Sequence, residues 1–505
     1  VRLPFPERVS YTYVCIFALS LGTIQVYQGT APLFSLGCFF FIILSGIAFN
    51  VAGGITRPSG AYIFFFSVLG VIIGLFWKAV LGEPADSNLA VPMLTIEIYV
   101  CSMCSMVVAA FASRRLASRQ ALLANFVTDD NMQTVTVGCL VAGIILIFIF
   151  ALVPAGHGSV LSGLAQLNRF IVMAIFLGVI HAIRRSGGTR SISLPSFLAA
   201  SILFILGVFG FSKEGMITPF VCWLLAAASQ NYRVSLRQIA GGIVVTMFLF
   251  QYLVPYSQYG RNFREDSFSS NLSISLSLLE NLGTVRKDYQ ESEANSRDDD
   301  DDLIKGYFTN PQGFFDRLQM IGPDDSLNEL TEQGVVPGIA PLYIYFENLV
   351  PHFLWGNKPS WGAGNLYARQ MGRLDEDDET TGISFSPASE AFHLMRWVGI
   401  LVVAPILWIM LFTLFDSLCG DVRKSPWGLL VILVFAHIAP EGGLGILIYC
   451  LGYLTAGILF AAYTATFLMP ILGEIIIGPN RRTVRFRDPL RIKPRESIAG
   501  QTSTP

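Results

Sequence analysis

Glu390 and His393 stand three residues apart in SFSPASEAFHLMRWVG, just ahead of an apolar run. Residues at i and i+3 share one helix face. A carboxylate at an apolar edge, or an imidazole beside it, can take a proton from a sugar hydroxyl, so either is a candidate general base. Glu390 also suits the positive end of a helix that begins nearby, and on the sequence alone both readings stand. A second set of residues is basic: Lys213, Arg261, Arg264, Arg317, Lys358, Arg369 and Arg373. Arg presents a planar fork to phosphate oxygens and Lys a compact charge, so such groups at a membrane mouth suit a lipid diphosphate head. Salt bridges to neighbouring acids are the plainer account of any one of them.

These residues must be positioned by a membrane domain. The chain has 505 residues, 53% hydrophobic and 14% charged, whereas soluble domains carry about 25% charged residues. Apolar runs predict an all-α polytopic protein with about twelve spans: 10 to 27, 33 to 52, 60 to 79, 91 to 112, 133 to 153, 166 to 183, 194 to 211, 215 to 230, 238 to 256, 397 to 417, 427 to 446 and 449 to 472. FFFIILSGIAF and LVAGIILIFIFALV are apolar on every side. That excludes the alternating pattern of a membrane barrel. The first run has no small-residue cleavage site and is expected to be a retained span.

Every second loop is basic, with Arg114, Arg115 and Arg119, then Arg184, Arg185 and Arg190, then Arg233 and Arg237, then Arg423 and Lys424. A basic segment, 473 to 505, follows the last span. The positive-inside rule puts these loops and both termini in the cytoplasm. Residues 257 to 395 hold 23 of the 36 acids and 10 of the 34 bases, a local charge of −13 against +11 elsewhere. The expected organisation is a membrane domain over 1 to 256, a large outer loop over 257 to 396, and a second membrane part over 397 to 472.

Within that loop, 284 to 302 reads as a mobile acidic insertion. Its run Asp298 to Asp302 lacks the spacing of an EF-hand calcium loop, and no other metal motif occurs. From about 306 onward, aromatic segments such as APLYIYFENLVPHFLW are expected to pack on the membrane surface. Cys101 and Cys104 form a CxxC pair inside an apolar run without His or further Cys, and read as small packing residues. Among ionisable groups near span ends, Glu97, Asp416, His181, His437 and Glu441, the best functional candidate is Glu441, beside the glycine-rich break in HIAPEGGLG.

Three segments carry a family resemblance. GFSKEGMITPF, with Ser212 and Lys213, VPHFLWGNKPSWGAGN, with Lys358 and Pro359, and TTGISFSPASEAFHLMRWVGIL, with Glu390 and Gly399, resemble the bacterial oligosaccharide repeat-unit polymerases. Those O-antigen polymerase-like membrane glycosyltransferases are related to the O-antigen ligases. The likeness covers roughly 190 to 420; His352 stands where the pattern has Arg, and 284 to 302 has no counterpart.

The resemblance implies polymerisation of undecaprenyl-diphosphate-linked oligosaccharide units at the periplasmic face of the bacterial inner membrane, inverting and without cofactor or metal. Lys213, Arg261, Arg264, Arg317, Lys358 and Arg373 would hold the diphosphate, and Glu390 or His393 would take the acceptor proton. Partners implied are membrane lipid, a chain-length regulator and a flippase, with no nucleic acid. A ligase, or a transporter of lipid-linked saccharides, is the competing expectation; no repeat relates the two halves of the chain, as many transporters would show.

Overall fold

The computed structural model describes residues 1–152, 168–263, 268–298, 321–359, 361–375 and 382–478. Its described residues form helices, with two isolated β-bridges and no named strand. In chain order these are α1 (Tyr11–Tyr27), α2 (Pro32–Ala52), α3 (Pro58–Leu81), α4 (Pro92–Leu116), α5 (Met132–Leu152), α6 (Phe170–Arg185), α7 (Leu194–Phe209), α8 (Lys213–Ser229) and α9 (Leu236–Arg261). There follow α10 (Phe268–Glu280), α11 (Leu282–Asp298), α12 (Ile321–Glu332), α13 (Ala340–Glu347), α14 (Ala363–Gln370), α15 (Pro387–Cys419), α16 (Pro426–Glu441), α17 (Gly443–Phe467) and α18 (Met469–Ile477).

The protein is an all-α polytopic membrane protein. Seven helices, α2, α3, α4, α5, α9, α15 and α17, are long and apolar enough to cross a bilayer. The other five expected spans fall on α1, α6, α7, α8 and α16, each of 16 or 17 residues. At 1.5 Å per residue these reach about 25 Å, a little less than the hydrocarbon core. The outer faces are apolar: Leu33, Phe40, Val108, Phe111, Phe197 and Phe467 are all exposed. Water does not tolerate such a surface over a whole bundle, whereas hydrocarbon does.

The basic loops do meet at one end of the bundle. Arg423 pairs with Glu7 at 2.6 Å and with Asp421 at 2.7 Å, Arg184 pairs with Asp129 at 2.5 Å, and an Arg184 Nη reaches the Arg423 carbonyl at 3.4 Å. Asp416 is wholly buried there, accepting from the Ser59 hydroxyl at 2.7 Å and the Ser113 hydroxyl at 3.0 Å. At the other end α12 packs on α4 and α13 packs on α17.

Four sequence expectations are corrected. Much of the 284 to 302 stretch is helix: α11 runs to Asp298, Val285 is buried, and the Arg286 guanidinium lies 5.3 Å from the Tyr252 ring centroid. Residues 299 to 302 of the acidic run lie outside the described residues. The last two spans divide at Gly442, earlier than expected, because Gly443 takes a φ of +56° that only glycine adopts without strain. Cys104 faces the apolar exterior instead of packing inside. Finally α13 does not lie on the bilayer surface alone. It and the turn that follows it pack on α17 at two glycines, since a Cβ on Gly445 would stand 2.8 Å from the Tyr345 ring and one on Gly452 would stand 2.6 Å from Leu349.

Candidate functional site

α15 is broken where the tenth span was expected to start. Met395 and Arg396 leave helical geometry, Arg396 with a φ of +49°, so residues 387 to 394 form a separate helix. Ser386 caps it, its hydroxyl accepting the Ser389 amide at 3.3 Å. The cap duty expected of Glu390 within its own helix is therefore taken.

Glu390 instead reaches the start of α17. Its Oε2 accepts the Leu444 amide and its Oε1 accepts the Tyr345 hydroxyl, with the Tyr367 hydroxyl 3.5 Å away. The glycine-rich turn makes this approach feasible: any Cβ on Gly443 would collide with the Glu390 carboxylate. A negative group at the amino end of a helix is stabilised by the aligned peptide dipoles. Burial, and then the Glu390 charge, push the phenols of Tyr345 and Tyr367 far above their ordinary range, which keeps both as donors.

α12 locks this arrangement to the membrane domain. Asp325 accepts the amides of Ala90 at 2.5 Å and Val91 at 3.2 Å and the Thr95 hydroxyl at 2.8 Å, so it caps α4 from a distant part of the chain. Asp324, fully buried, accepts the Ser386 amide at 2.9 Å and the Tyr99 hydroxyl. Burial raises its carboxyl to about 6, against the hydrogen bonds that favour its charge. His393 faces α12: its Nδ1 is 2.9 Å from the Thr331 hydroxyl, and its ring stands edge-on to Tyr367 at 4.6 Å. The i, i+3 pair thus shares Tyr367 as a neighbour.

Above Glu390 lies a cavity of about 530 Å³. Its lining joins the rings of Tyr345, Trp361, Tyr367, Tyr449 and Tyr453 to two carboxylates, Glu390 and Glu441. Glu441 ends α16 and stands 3.3 Å from His437, one turn earlier. Both side chains are partly open, whereas Glu390 is 2% exposed. His437 also lines a second cavity, of about 510 Å³, walled by Ile147, Val172, Leu203, Leu433 and other apolar residues. Arg169, Ser212 and Glu214 supply its polar edge.

The predicted residues are distributed unevenly around these cavities. Glu390 lines the first, and His393 does not. Lys213 opens α8 next to Ser212, whose hydroxyl accepts the Gly215 amide at 3.0 Å. Arg261 donates from Nε to the Phe211 carbonyl at 3.3 Å, close to that helix start. Lys358 is engaged by the carbonyls of Asn348 at 3.0 Å and Val350 at 2.6 Å, so it closes the carboxyl end of α13. Arg373 donates to the Ser326 hydroxyl at 2.6 Å, away from both linings. Arg264 and Arg317 lie outside the described residues.

Arg169, Asp324, Asp325, Tyr345 and Tyr367 are site residues that the sequence alone does not single out. Arg169 carried the signal that singled out Lys213, a base at a span end on the acidic side. Asp324 and Asp325 are adjacent acids near the start of α12, and only the fold shows Asp325 serving α4 and Asp324 serving the Ser386 amide. Comparison of the chain with protein-family models, with curated proteins and with solved structures gives no match.

Proposed function

We propose that the protein is a membrane glycosyltransferase that extends a lipid-diphosphate-linked saccharide. The observation that carries this reading is the pairing of the two cavities through His437. The first offers flat aromatic faces, which suit the apolar faces of sugar rings, together with carboxylates that can exchange protons. The second offers apolar walls for a lipid chain and an arginine for its anionic head. An acceptor hydroxyl in the first cavity attacks the anomeric carbon, the bond to the diphosphate oxygen breaks, and the hydroxyl proton passes to the protein.

Glu441, next to His437, is the proposed proton acceptor. It is reachable from the cavity, whereas the Glu390 oxygens are occupied by donors and almost wholly covered. Glu390 holds Tyr345, Tyr367 and the start of α17 in place, a positioning role. Arg169, with Lys213 and Arg261 near the α8 start, is the proposed partner of the leaving diphosphate. The basic end of the bundle faces the cytoplasm in this reading and the cavities face outward.

Transport is the second reading, because α16 and α17 are halves of a helix pair interrupted by glycines, as in many transporters. Purified protein in liposomes, given a polyprenyl-diphosphate oligosaccharide and no ion gradient, tests between them. Longer lipid-linked chains support transfer; movement of unaltered substrate across the bilayer supports transport and contradicts the proposal.

A further inference from the structure

At the basic end, away from both cavities, α5, α6 and α7 surround a third cavity of about 660 Å³. We propose that it binds a phosphate-type anion, and that the head group of an anionic phospholipid is its occupant. Its polar lining includes Gln133, Thr136, His181, Arg185, Thr189 and Arg190, and no carboxylate among the described residues.

The charge of the two arginines is uncommitted. Arg184 and Arg423, at the same end, are paired with acids at 2.5 to 2.7 Å. By contrast neither Arg185 nor Arg190 has a carboxylate within 4.0 Å among the described residues, and Arg185 donates only to the neutral Gln133 Oε1 at 3.1 Å. Arg185 and Arg190 are both exposed and line one polar cavity, and planar guanidinium forks match phosphate oxygens in pairs.

The turn between them is fixed by its own backbone and side-chain contacts. Gly187 and Gly188 have φ of +62° and +87°, which let the chain reverse directly after α6. Ser186 then accepts the Arg190 amide at 2.9 Å and Thr189 donates to the Ser186 carbonyl at 3.0 Å. Exposed Ile192 and Leu194 continue the lining into the apolar outer surface, a path for acyl chains. Basic pockets between membrane helices recognise anionic head groups in this way. Free phosphate shares the chemistry but has no use for that apolar edge.

The test uses full-length protein in zwitterionic nanodiscs, titrated with phosphatidylglycerol or with inorganic phosphate, and bound lipid is counted by native mass spectrometry. R185Q/R190Q is compared with R119Q/R237Q, which removes two exposed charges outside the cavity. Phosphatidylglycerol is expected to bind wild type and R119Q/R237Q alike and R185Q/R190Q about tenfold more weakly. Stabilisation by inorganic phosphate that is lost in R185Q/R190Q would retain the anion site and reassign its occupant. Equal loss in both double variants, or no binding of either probe, overturns the proposal. Phenylglyoxal labelling of wild type removes dependence on variant folding: phosphatidylglycerol must protect Arg185 and Arg190, and unprotected arginines contradict the site.

Discussion

The Glu390 carboxylate accepts the backbone amide of Leu444, so a side chain from the first part of α15, ahead of its break at Met395, caps α17. Gly443 makes that contact possible, through both its φ of +56° and its missing Cβ. Two elements far apart in sequence are thereby fixed at the floor of the aromatic cavity.

Gly443→Ala is expected to destabilise the protein by at least about 1–3 kcal/mol, because it adds backbone strain and a clash with the carboxylate. Thermal unfolding in detergent checks this. Gly241→Ala, at a helical glycine with open space around it, serves as the control and is expected to leave the midpoint unchanged or raise it.

Glu390→Gln keeps the shape but sets an NH₂ donor among the Tyr345, Tyr367 and Leu444 donors. Tyr345→Phe removes one of those donors. A positioning role for Glu390 requires the two changes to couple: the double variant should lose less than the sum of the singles, by about 1 kcal/mol or more in stability. Strict additivity would mean that the pair does not act together.

Asp324 gives a pH dependence of definite sign. Its folded carboxyl, raised by burial to about 6, lies above the ordinary 3.8. The folded state therefore holds the proton more tightly, and the resulting stability is present below about pH 4 and is lost as pH rises through about 6. Asp324→Asn should flatten that part of the profile, by at most about 2–3 kcal/mol. Melting midpoints between pH 4 and 7.5 measure it; a variant with the same slope as wild type contradicts the assignment.

Asp325→Ala removes the acceptor shared by the Ala90 and Val91 amides and the Thr95 hydroxyl. Loss of such a cap costs about 0.5–2 kcal/mol, and unpaired buried donors add to it. Amide hydrogen exchange should rise at the start of α4 and in α12, while the basic end stays protected.

The membrane character and the convergence of the basic loops were legible because both follow from composition: apolar runs long enough to cross, and bases gathered in alternate loops. Glu390 was legible as chemistry at a helix start, but its partner was not, since nothing local in the sequence pairs residue 390 with residue 444. His393 looked equivalent at i+3, yet the fold turns it toward Thr331. Lys358 carried the right charge and spends it on two carbonyls at the end of α13. Asp324 and Asp325 were hidden for the same reason as Leu444: long-range caps leave no periodic mark. The division at Gly442 is visible as a glycine cluster, but apolar residues run on past it and hide its exact position.

The most direct test of the proposed chemistry is the elongation rate of Glu441→Gln in liposomes, with protein amount and melting midpoint matched to wild type. A proton acceptor contributes about 10²- to 10⁴-fold, so the expected result is a fall of at least about 100-fold in rate, with little change in substrate binding. An elongation rate equal to that of wild type would contradict the proposed role of Glu441.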